Sequence, residues 1–113
     1  MTTLNTNLKS GTAILTLNRP ERANAFNFEM TNALMDALSH AENDPNVKCV
    51  VITGAGKVFS AGQDITEMKQ GEAISYREHL EKTYNPLILQ IRNMGKPVIA
   101  AVNGPCAGAA FGI

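Results

Sequence analysis

Neither sign of charge is in excess in this chain of 113 residues: ten lysines and arginines stand against ten aspartates and glutamates, for a formal net charge of zero. No global field therefore draws the protein to nucleic acid or to an anionic membrane, and only a local basic patch could do so. Cysteine is scarce. Cys49 and Cys106 sit in apolar contexts at no zinc or redox spacing, so reduced, mostly buried thiols and a reducing, cytoplasmic setting are expected. Long apolar runs are missing as well: Val98 to Val102 and Cys106 to Ile113 fall far below the roughly 20 residues that cross a bilayer. Met1 to Ser10 has one lysine and no apolar stretch, which argues against a signal peptide. Polar low-complexity sequence is absent too, and with 44% hydrophobic and 18% charged residues the chain is expected to pack as a soluble protein.

The length suits one hydrophobic core and is short for two, so residues 1–113 are read as part of a single domain. Alternation around Ser10-Gly11 predicts a strand, a turn and a second strand between Leu8 and Leu17, stopped by Asn18-Arg19-Pro20. Glu21 to Phe26 reads as an irregular connection, after which Asn27 can cap a helix. Met30, Leu34, Ala37, Leu38 and Ala41 recur at three- and four-residue spacing, predicting an amphipathic helix from Phe28 to about Asn43. Asn43-Asp44-Pro45 ends it, and Val47 to Thr53 reads as a buried strand. Helical spacing resumes after Gly71 through Leu80, Tyr84, Leu87, Ile88 and Ile91, with a kink or break expected near Asn85 because of Pro86. Pro97 to Val102 is another short apolar strand, followed by the turn Asn103-Gly104-Pro105 and a small-residue helix start from Cys106. The chain stops inside that element on an apolar residue, which reads as a fragment.

Two segments share a physical form: an apolar strand, a turn of small residues, and then a helix N-terminus. One runs from Val50-Val51-Ile52 through Gly54-Ala55-Gly56 to Ser60-Ala61-Gly62-Gln63-Asp64; the other runs from Val98-Ile99-Ala100 through Asn103-Gly104 to Gly108-Ala109. On neighbouring parallel strands, both turns would lie at one edge of the sheet, where α/β proteins bind ligands. Small side chains there let a ligand reach the main chain, and two convergent N–H groups about 2.7–3.1 Å from a carbonyl oxygen would stabilise negative charge on it. Such turns also occur simply because a chain must turn, so the pattern alone leaves a purely structural explanation open. It is not a phosphate-binding loop, because Gly54 to Ser60 lacks the Lys-Ser/Thr ending and no G-x-G-x-x-G opens a helix.

Three stretches, LNRPERANAFN from Leu17, VVITGAGKVFSAGQDI from Val50 and GKPVIAAVNGPCAGAAFGI from Gly95, resemble the enoyl-CoA hydratase/isomerase (crotonase) superfamily in order and spacing. The resemblance implies an α/β fold, the crotonase (ClpP-like) spiral of β-β-α units with strands in two nearly perpendicular sheets, of which this chain is an incomplete N-terminal part. It implies an acyl-CoA thioester as substrate, with CoA entering as part of that substrate and no metal or redox cofactor. It also implies a homotrimer or a hexamer built from two trimers. The catalytic donors carried over are the backbone N–H groups of Gln63 and Ala109. Substrate contacts carried over are Arg22, as a phosphate contact, with Ala23, Ala25, Ala61, Gly62, Asp64, Ile65, Thr66 and Gly108.

The likeness is closest to isomerases of the phenylacetate-degradation type, through Gln63-Asp64, Tyr84-Asn85-Pro86 and NGPCAGA. Hydratases of the family carry a glutamate where this chain has Gly112, and glycine moves no proton through a side chain. An isomerase is therefore favoured over a hydratase proper, with a non-catalytic trimeric crotonase-like scaffold as the alternative from another class. The remaining polar residues read blandly. Asp64 reads as a loop or cap aspartate, Glu67 and Glu78 as solvent-facing carboxylates, and His40 and His79 as helical histidines without a metal partner. Cys106 has no companion histidine, Arg92 and Lys96 form a solvated helix end, and Phe26, Phe28, Phe59 and Phe111 are core or pocket walls.

Overall fold

A computed structural model describes residues 3–62 and 85–106. The chain opens with a hairpin, β1 (Leu4–Lys9) and β2 (Thr12–Leu17), paired antiparallel. Ser10 and Gly11 both take positive φ, 52° and 85°, the backbone a two-residue hairpin loop needs to follow the strand twist. A single 3-10 turn, Pro20–Arg22, then leads to helix α1 (Phe28–Asn43). The Asn27 side-chain oxygen accepts from the Met30 N–H at 2.8 Å and caps the helix as expected. At the other end Asp44 turns the chain, its carboxylate accepting from the Asn46 N–H at 2.9 Å. Strand β3 (Cys49–Gly54) follows, then helix α2 (Asn85–Asn93), which carries Pro86, and β4 (Val98–Ala100).

The four strands form one sheet in the order β1-β2-β3-β4, with β3 parallel to β2 and β4 parallel to β3. Ala13, Leu15 and Leu17 alternate inward along β2, and Val50 and Ile52 do so along β3. These five side chains meet Met30, Leu34, Leu38 and Ala41 of α1, the i, i+4 stripe that the spacing predicts. α2 lies against α1, with Leu87 buried in the same core and the Gln90 amide donating to the Met35 carbonyl at 3.0 Å. Ile14, Val51 and Ile99 stand side by side on the other face.

Several expectations need adjusting. β4 is three residues long, where Pro97 to Val102 suggests six. Phe28 faces solvent at the first turn of α1, unlike Phe26 and Phe59, which are core residues. The two free cysteines are half-buried. Lys96 is half-buried too, and its ammonium donates to the carbonyls of Ala41 and Asp44 at 2.6 and 2.7 Å, closing the C-terminus of α1. The expected helix upstream of Asn85, including Leu80 and Tyr84, lies outside the described residues, as does the small-residue element after Cys106. Among the described residues there is one open sheet, and a single parallel bridge, Ser60 to Cys106, continues beyond it.

Candidate functional site

Because β3 and β4 are parallel neighbours, the turns that follow them leave the same edge of the sheet, as the two shared segments predict. Main chain meets main chain there. The Phe59 N–H donates to the Pro105 carbonyl at 3.0 Å, and Ser60 bridges to Cys106. Gly104 approaches Lys57 so closely that a β-carbon on it would collide with the Lys57 carbonyl oxygen, so only glycine lets the two turns touch.

A third segment joins them from the far end of β2. The Ala61 N–H donates to the Ala23 carbonyl at 2.9 Å, and the Phe26 N–H to the Gly62 carbonyl at 2.7 Å. Ala23, Ala25, Ala61 and Gly62, which the sequence resemblance groups around a ligand, are thus brought together by backbone pairing. Ala25 and Gly62 are buried, Ala61 and Arg22 are exposed, and Ala23 lies between. Gly62 has φ 96°, a left-handed conformation that side-chain-bearing residues rarely adopt, and its N–H donates to the Ser60 hydroxyl at 3.1 Å. Gln63, Asp64, Ile65, Thr66, Gly108 and Ala109 lie outside the described residues, as do Glu67, Glu78, His79, Phe111 and Gly112.

Two asparagines at this edge carry more than the sequence suggests. Asn24 is fully buried with φ 53°, following Ala23 at the same angle. Two consecutive left-handed residues without a glycine are costly, and they persist because the surroundings over-determine them. The Asn24 oxygen accepts from the Arg19 N–H at 2.8 Å, and its amide donates to the Ala55 and Val58 carbonyls at 2.9 and 2.8 Å. Its main-chain carbonyl accepts the Ser60 hydroxyl at 2.8 Å, and the Arg19 guanidinium donates to the Ala25 carbonyl at 2.6 Å. Asn103 is the counterpart on the other side: it accepts from the Gly54 N–H and donates to the Gly56 carbonyl, both at 3.0 Å. The one hint available in sequence is that asparagine tolerates positive φ and favours turns.

Chemically, the edge is a main-chain surface with small side chains. Among the described residues there is no group of three His, Cys, Asp or Glu that could hold a metal ion, and no helix is long and apolar enough to cross a membrane. Surface hollows lined by Ser39, Glu42, Asn43, Gln90 and Met94, or by His40, Asp44 and Pro45, lie at the opposite edge, where α1 ends and β3 begins.

A β-β-α-β unit that packs three backbone segments at one sheet edge, two of them marked by glycine, defines an α/β protein of the crotonase type. The chain belongs to the enoyl-CoA hydratase/isomerase family, whose model matches residues 7–113. It is 44% identical over 105 residues to the 1,2-epoxyphenylacetyl-CoA isomerase of Escherichia coli K12, covering 90% of this chain and 40% of that one. It is 34% identical to a 4-chlorobenzoyl coenzyme A dehalogenase from Arthrobacter, over 91% of this chain and 38% of that one. A crystal structure of an enoyl-CoA hydratase/isomerase from Xanthobacter autotrophicus Py2 superposes with a TM-score of 0.89 at 35% identity, covering 98% of this chain and 42% of that one. The fold is therefore the crotonase β-β-α repeat with an open sheet. The chain spans about two fifths of the length of the curated relatives it matches.

Proposed function

We propose that this chain binds an acyl-CoA thioester at the C-terminal edge of β3 and β4. There the backbone N–H groups of Gln63 and Ala109 hold the thioester oxygen while an enolate forms on it. The observation that carries this reading is the direct packing of the turn after β3 against the turn after β4, through Phe59 to Pro105 and Gly104 to Lys57. Each turn leads into one proposed donor. Ala23, Ala25, Ala61, Gly62, Asp64, Ile65, Thr66 and Gly108 line the ligand, and Arg22 faces the CoA phosphates.

The reaction proposed for the whole protein is double-bond isomerisation of an enoyl-CoA, in a homotrimer or hexamer in the cytoplasm. Gly112 favours isomerisation over hydration, because the water-activating carboxylate of hydratases is missing at that position. The likeness to 1,2-epoxyphenylacetyl-CoA isomerase points the same way. A non-catalytic scaffold would bind the thioester and leave it unchanged.

The test is titration of the chain with cinnamoyl-CoA, followed by absorbance. A conjugated thioester whose carbonyl oxygen accepts two N–H groups absorbs at longer wavelength than the free compound, so saturable binding with a red shift is the expected result. Binding without a shift would remove the oxyanion hole from the proposal. No binding of either cinnamoyl-CoA or free CoA would remove the acyl-CoA site altogether.

A further inference from the structure

We infer that Asn24 and Asn103 are positioning residues that set the spacing of the three backbone segments at this edge, an inference that rests on the proposed thioester site. Three stretches meet here, residues 19–26, 54–62 and 101–106; Phe26 and Phe59 tie the first two to the α1 core, and the rest of their mutual contacts are polar or main-chain. Among the described residues the backbone joins them through Ala61 to Ala23, Phe26 to Gly62, Phe59 to Pro105 and the parallel bridge of Ser60 with Cys106. Side chains add to these, the Ser60 hydroxyl on the Asn24 carbonyl and the amides of Asn24 and Asn103. A carboxamide offers a donor and an acceptor in one rigid plane, so it can hold two strands of main chain at a set distance.

Asn24 joins the first stretch to the second through the Ala55 and Val58 carbonyls, and Asn103 joins the third to the second through Gly54 and Gly56. The two amides converge on one atom. The Val58 carbonyl accepts from Asn24 at 2.8 Å and lies 3.5 Å from the Asn103 nitrogen. Val58 thus becomes the node through which the outer stretches sense one another. Thr53 strengthens the second joint, its hydroxyl donating to the Ala101 carbonyl at 2.8 Å.

The arrangement is unnecessary for the sheet itself, since the ladder from Val98 to Ala100 is already complete before Asn103. What it controls is the distance between the turn after β3 and the turn after β4. Main-chain donors aimed at one oxygen tolerate little error: a misplacement of about 1 Å can cost on the order of 100-fold in a reaction step. Loss of either amide releases the turn that it holds while leaving the small side chains in place.

The full chain is compared with Asn103→Ala, an exposed position expected to fold, and with Asn24→Gly, which keeps the left-handed backbone and deletes the amide. Three readouts are taken: affinity for free CoA, the absorption shift of bound cinnamoyl-CoA, and hydrogen exchange at the Phe59 and Ala61 amides. The inference expects free-CoA affinity within about threefold of the unsubstituted chain, loss of the red shift, and exchange at both amides faster by about tenfold. A red shift that survives in Asn103→Ala overturns it, whether or not Asn24→Gly folds. Loss of free-CoA affinity together with the shift also overturns it, because that is collapse of the site and not a change of spacing. If the unsubstituted chain binds CoA yet never shifts the probe, or binds neither compound, the proposed thioester site falls first and the inference falls with it.

Discussion

At Gly104 the absence of a side chain matters more than backbone freedom, because the space a β-carbon would occupy already holds the Lys57 carbonyl. Replacing Gly104 by alanine must push the turn after β4 away from the turn after β3, or distort both. Overpacking of this kind costs about 1–3 kcal/mol, and urea unfolding of Gly104→Ala should show a loss in that range; an unchanged midpoint would mean that the turns part freely. Sequence alone marks Gly104 as a turn residue without revealing what it touches, because the partner is 47 positions away. Asn24 was hidden for a different reason. Between two alanines it carries no periodic signal, and only the fold shows that its amide is buried and fully bonded.

Elements were far more legible than single contacts. α1 begins and ends where the residues predict, because Asn27 supplies the cap, the i, i+4 stripe supplies the packing face, and Asp44-Pro45 cannot continue a helix. β4 is shorter than its apolar run because side chains take over its ladder. The Ala101 N–H still reaches the Ile52 carbonyl at 2.8 Å, but the next partners are claimed by the Thr53 hydroxyl and by Asn103. Hydrophobicity cannot report such a handover. Lys96 is a parallel case: its charge suggests solvent, yet its ammonium sits on the carbonyls that end α1, where the helix dipole is negative. Lys96→Met keeps the aliphatic stem and removes the cap, so thermal unfolding should show a loss of about 1–2 kcal/mol. A loss that Lys96→Arg fails to recover would fit a cap requiring the compact ammonium, whereas no loss in Lys96→Met would show that water serves those carbonyls equally well.

Across the molecule, stability is distributed unevenly between the two sides of the sheet. β2 is paired along both edges, and its inward side chains lie under α1, so its amides can exchange only when the whole unit opens. β4 has one neighbour among the described strands and a pairing register of three residues, with Ile99 51% exposed and Val102, just past its end, 56% exposed. Parallel pairing with little buried apolar area is the weakest part of this sheet, and β4 also carries the turn that bears Asn103 and Gly104. Native-state hydrogen exchange should therefore rank the amides of β2 and of Val50 and Ile52 as the slowest. Those of Ile99 and Ala100 should exchange at least about tenfold faster, equivalent to roughly 1.4 kcal/mol. Addition of cinnamoyl-CoA should narrow that gap, because a ligand gripped between the turns after β3 and β4 stabilises the arrangement in which both are docked. Equal protection of β2 and β4 without ligand would mean that the sheet opens as one body; a gap that ligand leaves unchanged would place the binding site away from this edge.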